Sequence, residues 1–358
     1  MPTALDAYWS TYNYTCSPTS SFLSSWQYIV YPLHYSNVFF IPLAILAGYC
    51  VLYKTPKPMQ PMKWVYFNLH FWISFQSVYV SLLLTPVLWL PSISGSFLGL
   101  LTWMGVFDVY QGYFGSASLM MSMAATICLF ENRHQQIQNN RLRTSRTWLR
   151  FSMLGFNYLY ALIFPIPLYL ILPDQTQAKL SFLKNVPCPH EDFFTLPMFF
   201  FASDPEYQKY LAIALFLGLT LTIAQLLFYA ITCLYYLVFN ASSTTSKVTH
   251  DRQKRFFFGV LFQVFAPYSF ISPSMIYTSW SMLNGYYNQI YNNLVILMLN
   301  FYGTAATSFL LLCHSPYREF VKQLLKKLGN LLLPMKRSSV QSKRGSGANR
   351  DSVVFTNV

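Results

Sequence analysis

Lys54-Thr55-Pro56-Lys57-Pro58-Met59-Gln60-Pro61-Met62-Lys63 stands between two long apolar runs, and it sets the reading of the whole chain. The runs on either side, 29–53 and 64–90, contain no Lys, Arg, Asp or Glu. The alternation then repeats. Of the 24 Lys and Arg residues, 21 fall in the segments 54–63, 131–150, 240–255 and 314–358, which hold 3, 5, 4 and 9 of them. The other three, Lys179, Lys184 and Lys209, share one further loop. Positive charge collects on the cytoplasmic side of a membrane. The pattern therefore predicts seven spans in an all-α bundle, with the N-terminus outside and the C-terminus in the cytoplasm.

Composition agrees. Over 358 residues the chain is 54% hydrophobic and 10% charged, against about a quarter charged in soluble domains. The net charge of +13 sits almost entirely in the segments assigned to the cytoplasm, where an anionic leaflet is the natural partner. Nucleic acid is not needed to explain it. Residues 1–26 show neither the basic start nor the compact apolar stretch of a secretory signal, so a multi-pass plasma membrane protein with an uncleaved N-tail is expected.

A span needs about 20 mostly apolar residues. The sequence places an outer N-tail at 1–28 and the bundle at 29–313. Within the bundle, helix 1 is expected at 29–53, helix 2 at 64–90, helix 3 at about 100–130 and helix 4 at 148–172. Helix 5 is expected at 210–239, helix 6 at 256–281 and helix 7 at 288–313. Loop 54–63, with Pro56, Pro58 and Pro61, reads as a stiff turn rather than a helix. Pro42, Pro86, Pro165, Pro167, Pro267 and Pro273 fall inside spans, where each shapes or kinks a helix. Pro267 is the candidate hinge, because its helix follows the third basic loop. From Pro316, Tyr317, Phe320, Val321, Leu324, Leu325 and Leu328 recur at helical spacing opposite Arg318, Lys322, Lys326 and Lys327. That is a basic amphipathic helix on the inner membrane surface, over 314–333. A polar, disordered tail is expected at 334–358.

Cys16 and Cys188 are the two cysteines assigned to the oxidising outer side, and a bridge between them is expected. Two free thiols, or bridges to another chain, are the rivals. Asn13-Tyr14-Thr15 is a glycosylation sequon on that side, whereas Asn240-Ala241-Ser242 falls on the inner side. Glycan on Asn240 instead of Asn13 would invert the topology.

Asp108 is the one acidic residue placed within a span, and an intramembrane charge is a functional candidate by its cost. With Gln111, Trp103 and Tyr110 nearby it reads as a polar anchor for a ligand or cation. A structural hydrogen bond to a neighbouring helix would explain it equally. Glu131 and Arg133 close helix 3 at the inner side, where they could pair locally or simply end the helix. The six histidines are scattered, so no metal site and no cofactor are expected. No phosphate loop or nucleophile elbow is present, and the chain does not read as an enzyme.

Several stretches together carry a family resemblance. They are Lys54-Thr55-Pro56-Lys57, Met62-Lys63-Trp64, Asn68-Leu69-His70-Phe71-Trp72, Leu98-Gly99-Leu100-Leu101, Phe130-Glu131-Asn132-Arg133-His134, Val186-Pro187-Cys188-Pro189 and Pro316-Tyr317-Arg318-Glu319-Phe320. In this order, over nearly the whole chain, they resemble the nematode chemosensory serpentine receptors of class H. The resemblance implies a G-protein-coupled receptor on sensory cilia. It would bind a small environmental chemical from outside and activate a heterotrimeric G protein. It also implies coupling through Glu131 and Arg133 together with Arg252, Lys254 and Arg255, and movement of helix 6 about Pro267. Helix 7 lacks an Asn-Pro-x-x-Tyr element, and helix 6 reads Phe265-Ala266-Pro267-Tyr268 with no Trp, so the switches of rhodopsin-like receptors do not transfer. The alternative is a seven-helix transporter or channel using Asp108. The absence of internal repeats opposes a transporter, and the charge pattern opposes a channel with its N-terminus inside.

Overall fold

The computed structural model describes residues 4–16, 21–137, 140–238 and 247–332. The tail beyond 332, the sequon at Asn240 and the side chains of Asn13, Arg252 and Arg255 lie outside the described part. Among the described residues, seven helices are long and apolar enough to cross a membrane. Helix 1 is Gln27–Tyr53, helix 2 begins at Lys63, helix 3 is Asp108–Gln136 and helix 4 is Thr147–Ile163. Helix 5 is Pro205–Val238, helix 6 is Lys247–Asn284 and helix 7 is Gln289–Cys313. Helix 3 packs against helices 2, 4 and 5, and helix 7 against helices 1, 2 and 6. Polar side chains pair across these contacts, as they must in hydrocarbon. Asn300 donates to Ser36 Oγ at 3.0 Å, and Ser81 donates to Asn37 Oδ1 at 2.9 Å. Gly303 brings helix 7 against helix 2, since a Cβ there would stand 2.3 Å from Ser77 Oγ.

The structure departs from the expected boundaries where prolines intervene. Helix 2 was expected to reach residue 90, but it ends in a π turn, Tyr79–Leu84. The residue before a proline is pushed out of the helical region. Thr85 precedes Pro86 and adopts a left-handed φ of 43°. The chain then runs as a strand, β1 (Pro86–Leu88), and returns as β2 (Ile93–Phe97). A third strand, β3 (Phe199–Ala202), pairs with β2, giving an antiparallel sheet in the order β1-β2-β3. Val87 faces Ser96, and Ser94 faces Phe200. Pro86 thus starts a strand instead of kinking a span.

Helix 3 starts eight residues later than expected. Leu100–Trp103 form a separate turn, and Gly105 supplies the positive φ of 77° that redirects the chain. Helix 4 stops at Ile163, because Pro165 has no N–H to continue it, and Ile166–Leu170 form a short helix of their own. Loop 54–63, expected as a stiff turn rather than a helix, contains a 3-10 helix over Lys57–Met62, with Pro58 in its first turn where a missing N–H costs nothing. Helix 6 extends down to Lys247, so half of the expected third basic loop is helical. After helix 7 an amphipathic helix spans Ser315–Leu332, with Tyr317 fully buried and Leu325 and Leu328 exposed.

Candidate functional site

The two ends of the bundle carry different structures. At one end, the disulfide end, a helix in the N-tail (Ala4–Thr15) lies on the loop between helices 4 and 5. Cys16 and Cys188 are joined in a disulfide. The Tyr8 hydroxyl donates to the Pro187 carbonyl and the Tyr12 hydroxyl to the Pro189 carbonyl, so three links converge on Pro187-Cys188-Pro189. Burial raises both phenols above their ordinary pKa, helped at Tyr12 by Glu191, and so keeps them donors. Asp192 then accepts from the Trp26 backbone N–H at 2.8 Å. This places a carboxylate at the start of helix 1, where the helix dipole favours it. The His190 backbone N–H donates to the Tyr287 hydroxyl at 3.0 Å, tying the loop to the turn between helices 6 and 7.

Beneath this cap and the sheet lies a cavity of 560 Å³. Helices 2 to 7 all contribute, with Leu119, Met120, Tyr160, Tyr169, Phe201 and Ile296 among its walls. Among the described residues, no charged side chain lines it. Its polar groups are few: Ser116 meets the Tyr169 hydroxyl at 3.1 Å, and Thr278 and Gln76 join them. The Gln76 carbonyl oxygen is buried with no hydrogen-bond partner among the described residues. Small-molecule sites have this form, a mostly apolar volume of roughly 300–1,000 Å³ with a few polar groups.

The residues expected to hold a ligand stand elsewhere. Trp103 is 85% exposed and Tyr110 is 58% exposed. Asp108 is half-buried in the first turn of helix 3, not two turns inside it. An acidic residue at that position is favoured by the helix dipole, which offsets part of the cost that made it conspicuous. Gln111 is fully buried, but its amide is committed. It donates to Val106 O at 2.7 Å and accepts from Thr102 at 3.2 Å, holding the turn that starts the helix. None of the four lines the cavity. The cavity's own signal was in the sequence. Ser92-Ile93-Ser94-Gly95-Ser96-Phe97 alternates polar and apolar, the period of a strand, directly after a pre-proline break.

At the opposite, basic end, Glu131 does not pair with Arg133. Residues two apart project from opposite sides of a helix. Glu131 takes Arg150 of helix 4 instead, in a two-pronged pair with contacts of 2.8–3.0 Å. Arg133 is half-buried and donates to Gln136 at 3.1 Å. Its charge reaches Tyr66 of helix 2, Cys233 of helix 5 and His314 at the end of helix 7. The His314 ring meets the Gln263 carbonyl oxygen at 2.8 Å and packs edge-on against Tyr66 and Tyr317. The Tyr317 hydroxyl in turn meets Thr55 Oγ at 2.8 Å. Helices 2, 3, 6 and 7, the amphipathic helix and the first loop are thereby closed on one another. Burial, and secondarily Arg133, push the His314 imidazole down to about 4, so it is neutral at pH 7. Lys254 is half-buried in helix 6.

Pro267 lies between these two sites. It cannot donate to the carbonyl of Gln263, one turn back. It also borders a void of 10 Å³ shared with His70, Thr126, Tyr268 and Thr307, about the volume of one water. Among the described residues, no three His, Cys, Asp or Glu side chains are placed to share a metal ion.

Residues 24–327 match the family model described as "Serpentine type 7TM GPCR chemoreceptor Srh". The chain is also 29% identical over 341 residues to "Serpentine receptor class H-72" of Caenorhabditis elegans, an overlap covering 94% of this chain and 97% of that one. With its seven helices and a match running from the start of helix 1 into the amphipathic helix, the chain belongs to the Srh family of serpentine seven-transmembrane chemoreceptors.

Proposed function

We propose that the disulfide end faces outside, that the 560 Å³ cavity binds a small environmental chemical, and that the basic end then opens to a heterotrimeric G protein. The observation that carries this reading is the course of helix 6. The same helix contributes Thr278 and Met282 to the cavity and Gln263 to the closed cluster at the other end, with Pro267 between them. A ligand that fits the cavity better when the upper part of helix 6 shifts must favour the arrangement in which the lower part has moved. Only such a difference in affinity moves the equilibrium. Movement about Pro267 separates Gln263 from His314 and uncovers Arg133, while Lys254 and the neighbouring Arg252 and Arg255 form the rim that meets the partner. On this reading the protein resides at the plasma membrane, in the cilia of chemosensory neurons.

The test is a G-protein activation assay in cells, with a panel of small molecules and the chain tagged at both ends. Arg133→Ala is expected to abolish activation while surface staining stays at the level of the parent chain. Full activation by Arg133→Ala would remove Arg133 from the mechanism. The orientation is checked separately by glycan on Asn13, and localisation by imaging the tagged chain in the living animal.

A further inference from the structure

The cavity is sealed toward the disulfide end and open toward the membrane. Above it lies a second chamber of 440 Å³, between the loop helix Gln175–Asn185 and the turn joining helices 6 and 7. That chamber is polar, with Ser181, Asn185, Gln208, Lys209 and Asn284 in its wall. The two spaces share Ser92 and Met282, which are only 8% and 7% exposed. Gln208 Nε2 reaches Ser92 Oγ at 3.4 Å and donates to Ala202 O at 2.9 Å, so the partition is packed and tied to the sheet.

The membrane side is different. Helices 4 and 5 are the least buried of the seven, with 11% and 17% of their apolar stretches inside the protein. They meet near the disulfide end, where the Tyr207 hydroxyl donates to Pro167 O at 3.1 Å. They meet again deeper, where a Cβ on Gly218 would stand 3.2 Å from the Tyr160 hydroxyl. Between these contacts Ile163 and Phe164 of helix 4 and Tyr210 and Ala214 of helix 5 line the cavity. Ile163 is 52% exposed and Tyr210 is 64% exposed. Side chains that border the cavity and also face outward frame a window. The break at Pro165 explains why the helices gape here, since Pro165 and Pro167 interrupt the helix at this level and themselves line the cavity.

We infer that the ligand enters from the bilayer, through the window between helices 4 and 5, and is an uncharged, mainly apolar molecule bearing a hydrogen-bond donor. This rests on the cavity being the ligand site. A charged group would be costly both in the hydrocarbon outside the window and in a cavity that offers it no counter-charge. Gln76 borders the cavity and its buried carbonyl oxygen has no partner among the described residues, so a donor on the ligand would satisfy it, as buried polar atoms usually are. A molecule of this kind is already concentrated in the membrane that faces the window.

The experiment uses the full chain in lipid nanodiscs and 3-azioctanol, a photoreactive eight-carbon alcohol. The probe is mixed in, flashed at set delays, and the adduct on Tyr169 in the cavity wall is measured by mass spectrometry. The parent chain should be labelled at Tyr169, and 1-octanol should compete. Ile163→Trp should slow labelling by about tenfold or more without lowering its final level, as expected for an effect on access. Tyr210→Ala, which widens the window, should speed it, an outcome that misfolding does not produce. Ser181→Trp, which fills the polar chamber at a wall the cavity does not share, should leave the rate unchanged. Gln76→Leu should weaken competition by 1-octanol about fivefold, the size of one hydrogen bond, and leave competition by nonane unaltered. Slowing by Ser181→Trp with no effect of Ile163→Trp would overturn the lateral route in favour of arrival from water through the polar chamber. No effect of Gln76→Leu would remove the donor requirement. No adduct on Tyr169 in the parent chain would overturn the cavity as ligand site, a failure distinct from that of the route.

Discussion

The disulfide end and the basic end are closed by different means. At the disulfide end the closure combines a covalent bond between residues 172 apart, a three-stranded sheet and hydrogen bonds between side chains and backbone at Tyr8, Tyr12 and Trp26. At the basic end, among the described residues, it rests mainly on contacts between side chains: Glu131 with Arg150, His314 with Gln263, and Tyr317 with Thr55. Breaking a few such contacts costs a few kcal/mol, the range over which a ligand can shift an equilibrium. The difference suits a receptor that holds its ligand site in one shape and lets its partner site change.

The largest effect is expected at the covalent link. Closing so long a loop is worth at most about 5 kcal/mol on the chain-entropy account, and less here because the spans between the cysteines are already confined by the bilayer. Cys16→Ser and Cys188→Ser should each lower surface delivery sharply, read as staining of an N-terminal tag, and the double variant should be no worse than either single one. Near-normal delivery of both singles would mean that the tyrosine hydrogen bonds hold the cap without the disulfide.

The ion pair at the basic end should come next. Glu131 is nearly buried, while Arg150 keeps 26% of its side chain exposed. Glu131→Gln is therefore expected to cost about 2 kcal/mol, below the loss for a fully buried pair. Thermal melting of the detergent-solubilised protein checks this, and Arg150→Gln should recover part of the loss in the Glu131→Gln background. Additive losses would show that the two residues stabilise the protein separately. A smaller change is expected from Gln263→Leu, which removes the partner of His314. One hydrogen bond is worth about 1 kcal/mol, so basal G-protein activation should rise about fivefold. Unchanged basal activation would take this contact out of the switch.

The basic end was more legible in the sequence than the disulfide end, and the reason is chemical. Lysine and arginine mark a membrane face by number alone, so 54–63 and 314–333 could be placed without knowing any contact. The amphipathic spacing of Tyr317, Phe320 and Leu324 fixed the surface helix to within two residues of Ser315–Leu332. The cavity could not be found in this way, because its walls come from six helices and a sheet, and one sequence does not show which face each helix turns inward. Asp108 stands out in the sequence because a charge in a span is costly, but a start at residue 108 puts it at a helix N-terminus, where the dipole offsets part of that cost. Thr85-Pro86 and the alternation 92–97 carried the missing information. They were overlooked because an apolar run continues through them, and hydropathy alone does not separate a buried strand from a helix. The partner of Glu131 was hidden for a similar reason: Arg150 is distant in sequence, and only the packing of helix 4 on helix 3 brings it near.

The smallest and most diagnostic effect is expected from pH at the basic end. The His314 imidazole is pushed down to about 4, first by burial and then by Arg133. Its ring also faces Tyr66 and Tyr317, neither of which carries charge at pH 7. A histidine held below its ordinary value near 6.5 stabilises the closed arrangement fully above that value. As pH falls from there toward 4, an arrangement that hydrates the ring takes up the proton first and is favoured. Acidifying the face of isolated membranes that carries the basic end from pH 7.5 to 5.5 should therefore raise basal G-protein activation, by less than Gln263→Leu does, since protonation leaves the Nε2–H able to donate to Gln263. His314→Asn keeps a donor there and cannot titrate, so it should flatten the pH profile while holding basal activation low. A profile that rises as steeply in His314→Asn as in the parent chain would place the proton elsewhere.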